Sequence, residues 1–444
     1  MMPHLPGLMI AAPSSNSGKT VITLAILRAL ANRGIAVTAA KAGPDYIDPA
    51  FQAAASRQSC INLDPWAMGP GQINRLAARQ VAGGRVMICE AAMGLFDGAA
   101  DGSGASADLA AMMNWPVVLV VDVRGQAASA AAVIAGFAHF RRDVRIAGVI
   151  LNKVGSSRHR DMIVAACAKA IPDIPVLGAV RRHDDLALPE RHLGLVQASE
   201  HARLDDFLQR AATIIAEDID LAALQALIPP VQTGEIVVSD TRAGMISPLG
   251  HRIAIARDDT FAFAYPHLMD DWRNQGAELS FFSPLADQGP DAGCDAVYLP
   301  GGYPELYGGV LAAAENFKSA LHRAAARNIP VYGECGGYMV LGDTLIDGVG
   351  HVHAMAGLLP LVTSFADRTL HLGYRNMTLT RENGLGGAGD RWRGHEFHYA
   401  RTLRADGPGW LTATTADGRD LGETGLINGS VFGSFLHLIC AAAT

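Results

Sequence analysis

Aromatic residues make up only 6% of this chain and charged residues only 18%. Cysteines number six, but Cys60, Cys89, Cys167, Cys294, Cys335 and Cys440 are scattered with no C-x-x-C pair, which signals neither a zinc site nor a disulfide framework. No apolar run reaches the roughly 18 residues that a membrane span requires. The nearest approach, Ala127–Phe140, reads as a small-residue helix packed on a sheet. The N-terminus lacks a charged stretch leading into an apolar one, so no leader is expected and a reducing cytoplasm is the expected location. The formal net charge is −7 with a pI near 6.1. No clustered basic surface accompanies it, which argues against nucleic-acid and membrane partners.

What the chain does have is apolar residues (50%) and glycine (48 in all). That composition suits α/β layers joined by tight loops. A length of 444 residues implies two domains. The stretch LMIAAPSSNSGKT, Leu8–Thr20, runs from an apolar strand through a small-residue loop to Gly18-Lys19-Thr20 and the helix-competent Val21–Asn32. This is a phosphate-binding loop in outline, with Pro13 where the first glycine of the usual pattern stands and Ala12 one position earlier. Backbone N–H groups of Asn16, Ser17, Gly18 and Lys19 are expected to face nucleotide phosphates, Lys19 to bridge the terminal phosphates, and Thr20 to hold Mg²⁺. ATP and Mg²⁺ are therefore the expected cofactors.

A second apolar strand, Ala36–Ala40, delivers KAGPDYIDP, Lys41–Pro49, to a loop in which Pro44 and Pro49 exclude a helix. Loops at the carboxyl ends of parallel strands line the ligand crevice. Lys41, Asp45, Tyr46 and Asp48 are thus expected beside the phosphates, with Asp48 a metal candidate and the others facing substrate. Arg85–Cys89 is a buried-strand pattern ending in Glu90, the place for a second Mg²⁺-binding acid, and MGLFDG follows with Asp97. Pro116–Val121 and Ile146–Leu151 are further strands, and the latter ends at Asn152-Lys153, a position suited to reading the adenine edge. Strands alternate with the helical stretches Ser106–Met113, Gln126–Phe140 and Arg160–Ala170, so a mainly parallel sheet is expected. Leu186–Val196 is a candidate cap or an ordinary loop. Helices Ala202–Glu217 and Ile219–Leu227 close a domain spanning 1–230, and 231–249 reads as linker.

The second domain, 250–444, restarts with the strand Arg252–Ala256. Asp295–Leu299 runs into PGGYPE, and Ile329–Tyr332 runs into GECGGY, where Cys335 stands on a glycine-rich strand-to-helix turn. A nucleophile there needs a strained backbone, and the following helix is expected to lower the thiol pKa while Gly336 offers an N–H to an oxyanion. Gly302 is the second oxyanion candidate. The base candidates are His351, His353, His371, His395, His398 and His437. The last follows a final strand, Gly429–Phe435. Pairs of histidines suggest metal only weakly, because no acidic or cysteine ligand set has fitting spacing.

Taken together, APSSNSGKT, KAGPDYIDP, EAAMGLFDG, LPERHLGL, LPGGYPE, GECGGYM, GHEFHY and GSFLHL resemble the cobyrinic and hydrogenobyrinic acid a,c-diamide synthases along nearly the whole chain. The resemblance implies an N-terminal ATP-dependent domain like dethiobiotin synthetase and a C-terminal triad-type glutamine amidotransferase. It also implies amidation of the a and c carboxylates of a corrin ring with glutamine as nitrogen donor, Cys335 as nucleophile and His437 as base. The wider superfamily's His-x-Glu would place an acid at 439, but Ile439 is there, which leaves a Cys–His dyad or a carboxylate from elsewhere. Free ammonia is mostly protonated near neutral pH, so a shielded path between domains is expected. Cobyric acid synthase has the same two domains but amidates four other side chains, and its loop after the second strand does not usually read GPDYIDP; nickel-sirohydrochlorin a,c-diamide synthase is similar in motifs. From a different class, a partition-type P-loop ATPase with an inactive tail would carry a lysine where Ser14 stands. The sequence leaves open the cobalt content of the corrin and the oligomeric state, a homodimer included.

Overall fold

A computed structural model describes residues 5–183, 186, 190–191, 194–195, 197–230 and 242–442. The chain divides into two compact units, Met1–Thr241 and Arg242–Thr444.

The first unit runs β1 (Gly7–Ala11), α1 (Lys19–Asn32), β2 (Val37–Ala42), α2 (Asp48–Ser56), β3 (Cys60–Leu63), α3 (Pro70–Val81), β4 (Val86–Glu90), α4 (Ser106–Met113), β5 (Val117–Asp122), α5 (Ser129–Phe140), β6 (Ile146–Val154), α6 (Ser157–Ala170) and β7 (Val176–Arg181). The short pair β8 (Glu190–Arg191) and β9 (Gly194–Leu195) follows, then α7 (Leu204–Asp218) and α8 (Leu221–Ala226). Seven strands form one sheet in the order β3-β2-β4-β1-β5-β6-β7, all parallel. Helices cover both faces of such a sheet, which is why its strands read as unbroken apolar runs; Leu8, Met9, Ile10 and Ala11 are fully buried. The order matters chemically. β4 lies between β1 and β2, so Glu90 stands opposite Ile10 on one side and opposite Lys41 on the other.

Pro49 does not exclude a helix: it takes an early position of α2, where its missing N–H costs nothing. The sequence reading also passed over β3, α3 and β7. Most of Leu186–Val196, and 231–241 of the expected linker, lie outside the described residues.

The second unit comprises β10 (Arg252–Ala256), α9 (Pro266–Asn274), β11 (Glu278–Phe282), β12 (Ala296–Leu299), α10 (Gly308–Ala313), α11 (Glu315–Ala326), β13 (Val331–Glu334) and α12 (Gly336–Leu341). Then come β14 (Thr344–Ile346), β15 (Val352–Ala354), β16 (Leu361–Ser364), β17 (His371–Leu379), β18 (Arg391–His398), β19 (Arg401–Ala405), β20 (Leu411–Thr415), β21 (Asp420–Thr424), β22 (Leu426–Asn428), β23 (Val431–Ser434) and β24 (Leu436–Ala441). Its central sheet has the order β11-β10-β12-β13-β23-β22, and a five-stranded sheet has the order β21-β20-β17-β18-β24. The first of these is parallel except at its β22 edge. β23 lies beside β13 and leads within two residues into β24, so the chain carries His437 back to the end of the strand that bears Glu334 and Cys335.

Candidate functional site

In the first unit the phosphate-binding loop joins β1 to α1. Gly18 has φ +83°, and a Cβ there would come 2.3 Å from Asn152 Nδ2, so only glycine serves. Asn152 donates to Ser17 O at 2.8 Å and its Oδ1 accepts from Lys153 N. The geometry therefore gives Asn152 a bracing role behind the loop, which the sequence did not suggest. Lys153 Nζ adds a bond to Asn16 O at 2.9 Å and an ion pair with Asp122 at 3.0 Å. Ser17 Oγ closes the loop on Ser14 O at 2.9 Å. Lys19 folds over the carbonyls of Ala91 and Met93. Burial, then the nearby Lys41 charge, bring its pKa down to about 8.

Glu90 is completely buried and fully partnered. Its Oε1 accepts from Thr20 Oγ1 at 2.7 Å and Lys41 Nζ at 3.0 Å, and its Oε2 accepts from Gln52 Nε2 at 2.7 Å. Lys41 also reaches Asp48 Oδ2 at 2.5 Å and Asp45 Oδ2 at 3.8 Å. Burial opposes its charge, but Asp48, Glu90 and Asp45 outweigh burial and hold the ammonium charged. Lys41 draws Asp48 and Glu90 together, and the Thr20 hydroxyl bonds Glu90; two carboxylates and a hydroxyl so linked are hard oxygen donors of the kind Mg²⁺ takes, and they fit that ion. Gln52 was missed because α2 was excluded.

Two aspartates have a local task. Asp45 Oδ1 accepts Ile47 N at 2.8 Å and Asp48 N at 3.0 Å, while burial and then Asp48 raise its pKa to about 6. Asp97 Oδ2 accepts Gly94 N at 2.8 Å and the residue is exposed. Tyr46 stands half-buried on the loop between Asp45 and Asp48.

In the second unit, Cys335 sits at φ 45°, ψ −102° between β13 and α12, the strained backbone expected of a nucleophile on such a turn. The surrounding glycines serve close packing. A Cβ at Gly337 would lie 2.0 Å from Leu299 O, and one at Gly302 would lie 1.8 Å from Thr260 O. A Cβ at Gly336 would lie 2.9 Å from Gly302 N, so the two oxyanion candidates are neighbours. A Cβ at Gly301 would meet His437 Cε1 at 2.3 Å, its Nε2 at 3.1 Å and Cys335 Cβ at 3.2 Å. Gly301 thus keeps clear the space where Cys335 and His437 converge, and nothing in sequence spacing singled it out. The expected drop in thiol pKa is not found: burial pushes the Cys335 thiol well up and Glu305 adds to that, against the Gly336 N–H, which favours thiolate.

His437 is fully buried. Its Nδ1 lies 3.6 Å from Oε2 of Glu334, the residue immediately before the nucleophile. At position 439 the apolar side chain is buried, and its carbonyl accepts from or faces His267 Nε2 at 2.8 Å. Among the described residues, His371, Glu396 and His398 have ligand atoms within 4.8 Å of one another. They make a poor metal site. The rings of His371 and His398 are stacked at 11°, so their in-plane lone pairs run nearly parallel instead of converging, and Arg375 already neutralises Glu396 at 2.7 Å.

A nucleotide loop with a buried acid, and a strained cysteine beside a buried histidine, define the class: an ATP-binding domain joined to a cysteine-type glutamine amidotransferase. Family models agree. Residues 8–196 match the CobQ/CobB/MinD/ParA nucleotide binding domain and residues 252–444 the CobB/CobQ-like glutamine amidotransferase domain. The chain is 54% identical over 441 residues to hydrogenobyrinate a,c-diamide synthase of Brucella suis biovar 1 (strain 1330), covering 98% of each chain. It is 53% identical over 435 residues to the protein of that name from Rhizobium meliloti (strain 1021), covering 98% of this chain and 99% of the relative. Similarity to the solved PurLQS of Thermotoga maritima is weak, with TM-score 0.31 and 18% identity over 42% of this chain and 87% of that one. The chain belongs to the hydrogenobyrinate a,c-diamide synthase family, and is a glutamine-dependent carbon–nitrogen ligase.

Proposed function

We propose that the protein amidates the a and c carboxylates of hydrogenobyrinic acid, activating each with ATP as an acyl phosphate that ammonia from glutamine then attacks. The observation that carries the reading is the convergence of Thr20 and Lys41 on the buried Glu90 beside the phosphate loop, on a chain that also bears a Cys335–His437 pair. The relatives' names favour the cobalt-free substrate and a,c-diamidation over the side chains amidated by cobyric acid synthase. A partition-type ATPase has no use for the strained Cys335 or for a base beside it.

The synthetase domain occupies 1–230 and the amidotransferase domain 250–444. Thr20, Asp48 and Glu90 would hold Mg²⁺, which when bound supplies charge neutralisation for the transferred phosphoryl group. Lys19 and the N–H groups of Asn16, Ser17 and Gly18 bind the phosphates, and Asn152 holds that loop while offering its edge to the base. Lys41, Asp45, Tyr46 and Asp97 border the substrate. In the other domain, Cys335 Sγ attacks the glutamine amide while His437 takes the thiol proton. Gly302 and Gly336 N–H groups receive the oxyanion. His437 then protonates the leaving nitrogen, and water hydrolyses the glutamyl thioester. Six free, buried cysteines suit a reducing cytoplasm.

Incubation with ATP, Mg²⁺, glutamine and either hydrogenobyrinic or cobyrinic acid, followed by product mass, tests the reading. Two successive conversions of carboxyl to amide on the cobalt-free ring are expected. Reaction of only the cobalt corrin, or amidation at other side chains, overturns it.

A further inference from the structure

We propose that Glu334 is the carboxylate that orients His437 and stabilises its protonated form, in place of the acid absent at position 439. The inference rests on the reading of Cys335 and His437 as nucleophile and base.

Glu334 ends β13, so the fold delivers nucleophile and carboxylate as consecutive residues, while β24 brings the imidazole to both. Its Oε2 lies 3.6 Å from His437 Nδ1, within reach of a hydrogen bond that tightens on substrate binding. The carboxylate is built in rather than placed by chance. It is 1% exposed, its Oε2 accepts from Tyr298 Oη at 2.7 Å, and its Oε1 accepts from Tyr332 Oη at 2.8 Å and from Leu438 N at 3.1 Å. Three donors hold the carboxylate in one orientation. The two tyrosine rings stack at 5.6 Å and 11°, which fixes both hydroxyls. Leu438 follows His437 directly, so its N–H bond to Glu334 also clamps the base's own backbone.

Among the described residues, the one ion-pair partner of this buried carboxylate is His437. In the proposed reaction, the cation that pairs with this carboxylate forms at His437. When Cys335 Sγ bonds to the amide carbon, the carbonyl electron pair moves to oxygen and the thiol proton passes to His437. The imidazolium so formed faces the Glu334 carboxylate. Collapse of the intermediate returns that proton to the departing nitrogen, which leaves as ammonia. Glu334 keeps its charge throughout and acts as a positioning residue. Other groups also face the pair: His395 lies across from His437 on β18, and Glu305 and Glu396 act on Cys335.

The test uses the full chain and Glu334→Gln. Glutamine-dependent kcat should fall, by less than the roughly 10⁴-fold found when a serine triad loses its acid, since a thiol is the more acidic nucleophile; about 10- to 100-fold is expected, with KM little changed. Ammonia-dependent amidation should be retained. Glu334's charge favours the proton on both His437 and Cys335, so its removal should displace both limbs of the glutaminase pH profile to lower pH. Glu334→Asp should restore the profile's position. A purely structural role lowers amplitude without displacement, so a Glu334→Gln profile superimposable on wild type overturns the proposal. If that variant does not fold, Tyr298→Phe serves: removing a donor from Oε2 strengthens its hold on the imidazolium and should move the profile upward, the acid limb first. No displacement there counts against Glu334. Cys335→Ala is the control for the reading beneath: should it still use glutamine, the nucleophile assignment fails, whatever Glu334 does.

Discussion

Thr20 Oγ1 donates to Glu90 Oε1 at 2.7 Å, tying the start of α1 to the end of β4 across 70 residues. The bond holds a hydroxyl and a fully buried carboxylate against each other at the mouth of the phosphate loop, with Lys41 Nζ 3.0 Å from the same oxygen. Glu90→Gln keeps the shape and removes the charge, and Lys19→Ala removes the cation proposed to meet the terminal phosphates. Both variants should abolish amidation with glutamine and with ammonia alike, measured as product mass under saturating ATP. Near wild-type ammonia-dependent turnover in either variant would remove these residues from the activation step.

The second unit offers a test that adds an atom instead of deleting one. A Cβ at Gly301 would stand 2.3 Å from His437 Cε1 and 3.2 Å from Cys335 Cβ, inside the gap between the two side chains proposed as base and nucleophile. Gly301→Ala should therefore cut glutamine hydrolysis by at least about 100-fold, as misplacement of reacting groups by an ångström does, and leave ammonia-dependent amidation in place. An alanine variant with normal glutaminase activity would show that the two side chains do not act across that gap.

Asp45, Asp48 and Asp97 divide on the structure. Asp45 and Asp97 accept backbone N–H groups of their own turns, whereas Asp48 pairs with Lys41 at 2.5 Å. An asparagine still accepts through its carbonyl oxygen, so Asp45→Asn and Asp97→Asn should preserve both turns and much of the activity. Asp48→Asn removes charge from the Lys41 network. On the proposed reading the corrin docks twice at one ATP site, and the second docking, with one carboxylate already converted, is expected to be the more easily impaired. Monoamide should accumulate with Asp48→Asn and to a smaller extent with the other two. Diamide formed by all three variants at wild-type rates would make them turn residues only.

Which parts of this were legible in sequence follows from range. β1, β4 and β5 are short apolar runs buried on both faces and announce themselves, as does the glycine-rich turn at Cys335. Lys41, Asp48 and Glu90 were found as loop residues at strand ends, but the Lys41–Glu90 contact depends on β4 lying between β1 and β2, a sheet order that no local pattern encodes. Pro49 misled because the same residue that breaks a helix interior starts one comfortably. Glu334 stood next to the nucleophile in plain sight. Its bearing on His437 arises from β23 pairing with β13 across some hundred residues of chain, and sequence offers the missing acid at 439 as the sole hint that another carboxylate is needed. The thiol pKa went the other way from expectation because helix-end polarity is a local feature and burial is not.

His395 makes the last prediction, about stability rather than turnover. It is 7% exposed, pairs across the sheet with His437, and burial, then His437 and Arg375, hold its pKa at about 3 against the ordinary histidine value of 6.5, with Glu396 pulling the other way. Above 6.5 the ring is neutral folded and unfolded, so it contributes no pH dependence. Between 6.5 and about 3 the unfolded chain binds a proton that the folded one refuses, so stability falls as pH falls, by up to about 1.4 kcal/mol per pH unit from this ring. Asparagine does not titrate. Carboxylates elsewhere contribute equally to both proteins, so denaturant midpoints of wild type and His395→Asn, taken from about pH 8 down to pH 5, should keep a constant separation above 6.5 and change it steadily below, with wild type losing more. Curves that stay parallel through the acid range would mean that His395 accepts its proton in the fold, and that the base beside it faces a charged neighbour.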